Sequence, residues 1–194
     1  MKKILTLTFI LAMCLCLFAC GEDSDVPVGM RLASDTDIVD YKLFVPEAWE
    51  IVSGDSAQSQ AFVSDTDRTN VIVNQWNITE NTKTVNDWWE KEYKPQVFET
   101  GAIQKVAIEK NKDGKEGVNV TLGGKAATKY TYTGMVGDTY FKYEVVGCVA
   151  NGSIYVMHFT YMQDSVKEGE KITYSACDLH KASVESIITN FKFN

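Results

Sequence analysis

The sequence predicts an α+β fold, one antiparallel β-sheet flanked by helices, and three observations carry that prediction. Short β-rich runs dominate the chain and are joined in two places by two-residue turns, Gly123-Gly124 and Asn151-Gly152, of the kind that link antiparallel strands. Two stretches instead space their apolar residues as helices do: Val85, Trp89, Tyr93 and Val97 early, and Val184, Ile187, Ile188 and Phe191 at the end. No second linker, repeat or low-complexity tract interrupts residues 30–194, so sheet and helices belong to a single domain.

Ahead of that domain, residues 1–19 have the build of a bacterial lipoprotein signal peptide: Lys2 and Lys3, an apolar run from Ile4 to Phe18, then Leu17-Phe18-Ala19-Cys20. The apolar run is shorter than the roughly 18 to 20 residues that span a bilayer, and the small Ala19 before Cys20 suits a signal peptidase. Cys20 is then the lipidation site, a di- or triacylated cysteine with palmitate among its expected acyl chains. The expected location is the cell membrane, lipid-anchored and facing outside the cytoplasm, at the cell surface or in the periplasm. Residues 20–29, acidic and polar with one proline, read as a tether whose Gly21 to Val28 stretch spans at most about 25 to 30 Å.

Removing Lys2 and Lys3 leaves 17 basic residues against 26 acidic ones, a formal charge of −9. Such a domain is expected to be repelled by nucleic acid and by anionic headgroups, so no nucleic-acid partner is expected, and with no polybasic patch as a second electrostatic signal membrane attachment falls mainly to the lipid on Cys20. With Cys14 and Cys16 lost on cleavage, Cys148 and Cys177 are the thiols left in the domain. Outside the cytoplasm they can form a disulfide closing a loop of about 30 residues, stabilising by roughly 3.5 kcal/mol, or remain two buried free thiols.

The elements follow in order. Tyr41 to Val45 is a short strand stopped by Pro46, with Trp49 beyond it as a core residue; Val71 to Ile78 and Ala102 to Glu109 are further strands. Thr84-Val85-Asn86-Asp87 resembles a capping box at the start of the first helix, in which Pro95 predicts a kink or an early stop. Val118 to Leu122, Ala126 to Thr133, Tyr140 to Ala150 and Ile154 to Met162 form a meander, and Ser175-Ala176-Cys177-Asp178 opens the second helix.

Candidate chemistry is sparse. His158 lies mid-strand and is expected to be structural. Cys177 and His180, three apart on a helix, would make a hydrolase pair only with an orienting group and an oxyanion site, and neither is recognisable. No zinc pattern exists; Asp35, Asp37 and Asp40, with Asp65 and Asp67, offer carboxylates in loops but lack a full calcium-binding loop. Neither metal nor cofactor is expected. Trp88 and Trp89 are adjacent on a helix and point about 100° apart, so one of them is expected to be partly exposed at a groove or interface.

Tyr41-Lys42-Leu43-Phe44-Val45-Pro46-Glu47-Ala48-Trp49, Gly124-Lys125-Ala126-Ala127, the strand Ile154 to Tyr161 and the closing Ile187-Ile188-Thr189-Asn190-Phe191-Lys192-Phe193 resemble the PsbP-like family, including its DcrB-like bacterial envelope lipoproteins. The resemblance covers residues 30–194 and implies an α/β/α sandwich with a non-enzymatic role. The implied partner is an envelope protein. Capture of a small apolar or amphipathic ligand between helix and sheet is the alternative, and a Cys/His hydrolase a remote one.

Overall fold

The structure, a computed structural model, describes residues 25–52, 58–64, 66–165 and 170–194. An eight-stranded antiparallel sheet forms its centre. Strands β4 (Glu50–Val52), β5 (Ser59–Phe62) and β6 (Asn70–Asn77) lead to β11 (Ser153–Met162), β10 (Thr139–Ala150), β9 (Lys125–Val136) and β7 (Gln104–Ile108), and β8 (Val118–Leu122) also pairs with β9. Two short ladders flank it: β1 (Met30–Leu32) with β3 (Phe44–Pro46), and β2 (Tyr41–Lys42) with β12 (Lys192–Phe193). The predicted hairpins are present. Asn151 and Gly152 both take positive φ, as the tight turn from β10 to β11 requires.

Register decides what faces where. Tyr130, Val145 and His158 align across β9, β10 and β11, and Ile154 aligns with Trp76, so these side chains share one face. The opposite face carries Val73, Tyr155, Met157, Phe159, Val146 and Cys148. Helices cover both, which is the expected sandwich.

On the first face lies α1 (Val85–Trp88), capped by Thr84, whose hydroxyl accepts from the Asp87 N–H at 3.0 Å. Such a cap stabilises by about 1 kcal/mol. The helix does not stop at Pro95. It widens into π-helical turns, Trp89–Tyr93 and Pro95–Glu99, and the wider turn accommodates a residue that lacks an N–H and crowds the preceding turn. Close approach of α1 requires Gly147, since a Cβ there would lie 2.7 Å from Val85 Cγ1.

The other face is covered by α2 (Ser175–Leu179), α3 (Lys181–Asn190) and the β1–β3 ladder. Two helices thus stand where the sequence predicts one, broken at His180. Val184, Ile187 and Phe191 enter the core, and Phe191 stacks on Tyr41 at 5.3 Å between ring centroids.

Candidate functional site

The tryptophan pair is internal. Trp88 and Trp89 are 1% and 0% exposed, which corrects the expectation that one of them edges a groove. Their divergence of about 100° is absorbed because rings await on both sides. Trp88 meets Trp76 edge-on at 5.6 Å, whereas Trp89 stacks on Tyr130 at 4.1 Å and donates from Nε1 to Glu116 at 2.8 Å. Trp88 Nε1 is buried without a partner. The rings that would have walled an apolar ligand groove therefore fill the layer between α1 and the sheet.

His158 lies at the edge of this cluster. Tyr93 and Tyr132 share a hydroxyl hydrogen bond of 2.7 Å, and the Tyr93 hydroxyl sits 3.4 Å from His158 Nδ1. By surface area His158 is half-buried, yet the surrounding protein depletes its ring of water, and burial lowers its pKa to about 4. It is neutral at physiological pH.

The cysteines are separate free thiols, so no disulfide joins Cys148 to Cys177. Cys148 is fully buried in the core, and Cys177 packs against the same core from α2. Nor, among the described residues, is His180 free to act as a base for Cys177. Burial, then Glu144, push its thiol up, and His180 Nε2 is engaged 2.8 Å from Asp67 Oδ2. Burial works against ionisation of Asp67, but hydrogen bonds from Thr69 and His180 outweigh it and hold the carboxyl below its usual range.

The acidic loops do not converge. Asp35 accepts from the Asp37 N–H, and Asp40 accepts from Tyr155 and Asn151 at 2.5 and 3.1 Å. Asp65 lies outside the described residues, among which no group of three or more His, Cys, Asp or Glu side chains is placed to hold a metal ion.

Among the described residues, a connected group of polar side chains lies instead on the α2 side of the sheet. Glu144, with its side chain 13% exposed, binds Lys129 at 3.0 Å and accepts from the Tyr161 hydroxyl at 3.1 Å. Next to it Lys142 pairs with Glu109 at 3.2 Å, and although burial pulls the ammonium pKa down, Glu109 and its neighbours leave it raised. Beyond Lys142 opens a hollow of about 560 Å³, lined by Asp164, Thr173, Tyr174, Cys177 and Asp178 among others. Asp164 organises its rim by accepting from Thr173 and Ser175. No pattern in the sequence joins these residues, because strand register and the return of α2 bring them together. A second polar hollow of about 620 Å³ lies between Arg31, Ser34, Glu50 and Ser59.

Cys20 and residues 1–19 lie outside the described residues, among which no helix is long and apolar enough to cross a membrane.

No family model matches the chain, and no curated protein matches it. Solved bacterial structures do resemble its fold. One is a Bacteroides thetaiotaomicron protein, 10% identical with a TM-score of 0.52, the likeness covering 86% of this chain and 48% of that one. The chain thus spans about half the length of that protein. A Pseudomonas aeruginosa protein of unknown function, named a putative regulator, is 12% identical over 81% of this chain and 92% of its own, with a TM-score of 0.48. LpqN, involved in cell envelope biogenesis of Mycobacterium tuberculosis, is 11% identical over 79% and 83%, with a TM-score of 0.46. At these identities the likeness is one of architecture, an α+β sheet with helices, and no family model stands behind the PsbP-like or DcrB-like assignment.

Proposed function

We propose that the chain is a lipid-anchored lipoprotein outside the cytoplasm, with a non-enzymatic role in binding an envelope protein. The observation that carries this reading is the run Leu17-Phe18-Ala19-Cys20 after a basic, apolar leader, placed only a few residues ahead of a folded domain. The binding role is supported by the chemistry of the accessible groups. Trp88, Trp89 and the rings they stack on are buried, burial and Glu144 push up the one partly exposed thiol among the described residues, Cys177, and the charged hollow beside Lys142 and Tyr174 offers a polar contact surface.

Two measurements test the two halves. Wild-type protein takes up labelled fatty acid, and Cys20→Ser loses the label and leaves the membrane fraction or stalls uncleaved; equal fractionation of both overturns the anchor. A photo-crosslinking residue at Tyr174 in the native host yields a discrete adduct with an envelope protein that Lys142→Glu weakens. Absence of any discrete adduct from this position overturns the binding surface.

A further inference from the structure

The proposed anchor also determines which end of the domain meets the membrane, an inference that rests on lipidation at Cys20. Four residues, Gly21 to Ser24, separate Cys20 from Asp25. At about 3.6 Å per residue or less, the Asp25 backbone lies within about 18 Å of the lipidated cysteine. Asp25 is fastened to the domain, because its carboxylate binds Lys42 Nζ at 2.7 Å and also binds Lys192 Nζ. Lys192, then Lys42, hold this carboxyl down to about 2, so the clamp stays charged at any physiological pH. Backbone bonds hold the next residues. The Met30 N–H donates to the Pro27 carbonyl at 3.0 Å, the Glu47 N–H donates to Gly29 at 3.1 Å, and β1 pairs with β3.

Lys42 and Lys192 are partners across the β2–β12 ladder, which closes one end of the sheet together with the turns Gly123-Gly124 and Asn151-Gly152. A Cβ on Gly123 would lie 2.7 Å from the Phe193 ring, and Asp40 accepts from the Asn194 N–H at 2.9 Å and from Asn151 at 3.1 Å. The opposite end is the Gly137-Asp138 turn. It stands at the far end of the 12-residue β10, about 36 Å away.

We infer that the end formed by the β2–β12 ladder and its two neighbouring turns is the membrane-facing surface, seated on phospholipid headgroups, while the Gly137-Asp138 end points away from the bilayer. On the folded end Lys42, Lys125 and Lys192 stand against Asp25 and Asp40, a local excess of one lysine in a mature chain that carries −9, while the tether contributes Glu22 and Asp23 between them and the lipid. Lys125 and Lys192 border a hollow of about 520 Å³ beside Thr189 and Phe193. Val26 and Val28, directly after the clamp, are 37% and 104% exposed, apolar surface that a headgroup layer would cover.

The test uses the lipidated mature protein on vesicles of phosphatidylcholine and phosphatidylglycerol containing an acceptor-labelled headgroup lipid. A donor dye is placed at Thr189→Cys or at Asp138→Cys, both exposed, in a Cys177→Ser background; Cys148 is buried. Energy transfer is expected to be several-fold greater from position 189 than from position 138. Equal or reversed transfer from protein that floats with the vesicles overturns the orientation and leaves the anchor standing, whereas protein that fails to float overturns the anchor and the orientation with it. Lys125→Glu should narrow the ratio on phosphatidylglycerol-containing vesicles and leave it unchanged on pure phosphatidylcholine; an unchanged ratio on both overturns the headgroup contact.

Discussion

Beneath α1 the sheet is sealed by rings, with Trp88, Trp89, Tyr93, Tyr130 and Tyr132 in one contiguous cluster. Beneath α2 and α3 the core is mixed, with the rings of Tyr41, Phe44, Tyr155, Phe159 and Phe191 among Val71, Val73, Val146, Met157 and Val184, and it gives way toward one end to the Glu144 and Lys142 ion pairs. Trp88, Trp89 and Tyr93 come from the covering helix itself, and rings bury large areas, so a helix as irregular as α1 and its π-turns can close a whole face. The other face needs two helices and a ladder, and where α2 falls short, charged groups meet solvent. Closure and accessibility are therefore divided between the two sides of one sheet.

The sharpest way to break that contrast is Trp89→Ala, which removes the ring stacked on Tyr130 and the donor to Glu116. Urea titration should read a loss of about 3 to 5 kcal/mol. A loss below about 1 kcal/mol would mean that the rings fill space without joining the layers.

His158 tests the same face through pH. Its folded pKa of about 4 lies below the unfolded value of 6.5, so the unfolded chain binds more protons between the two. Stability from this group is complete above about pH 6.5 and falls by about 3 kcal/mol as the pH approaches 4. His158→Gln should flatten that part of the stability profile; an unchanged slope would assign it to other groups.

Gly147→Ala places a methyl against Val85 and should cost about 1 to 3 kcal/mol. Val85→Ala in the same chain should recover part of that loss, and a simple sum of the two penalties would show that α1 can retreat from the sheet.

On the accessible side, Glu144→Gln weakens the contacts to Lys129 and Tyr161 and should cost about 1 to 2 kcal/mol. It also removes a charge that raises the Cys177 thiol, so alkylation of Cys177 at pH 8 should speed up. An unchanged rate would place Glu144 outside the thiol's reach. The smallest effect is expected for Trp88→Phe. Because Trp88 Nε1 has no partner, losing it should change stability by less than about 1 kcal/mol, against a larger loss for Trp89→Phe.

Much of the architecture is legible locally. Gly123-Gly124 and Asn151-Gly152 mark hairpins, and the alternation in Val118 to Leu122 marks a strand, because turn chemistry and side-chain period act over a few residues. The β4–β5 hairpin is not, since Ser59-Gln60-Ala61-Phe62 has little β-propensity and becomes a strand by pairing with β6. Pro95 misleads for a related reason, as wide turns accommodate what an α-helix rejects. The polar groups were least legible. His180 finds Asp67 at a separation of 113 residues, and Tyr161 reaches Glu144 across a strand pair whose register sets which side chains meet. For Trp88 and Trp89 the missing information was what covers the far side of the helix.

The β2–β12 ladder has a consequence for the order of assembly. It joins Tyr41 to Phe193, so β2, unlike β1 and β3, which pair with each other, has no partner until β12 arrives. Closing so long a loop is entropically slow, and Tyr41, which stacks on Phe191 in the native core, stays uncovered in the meantime. A nascent chain emerging from its N-terminus is therefore held open along this seam until Phe193 is free to pair.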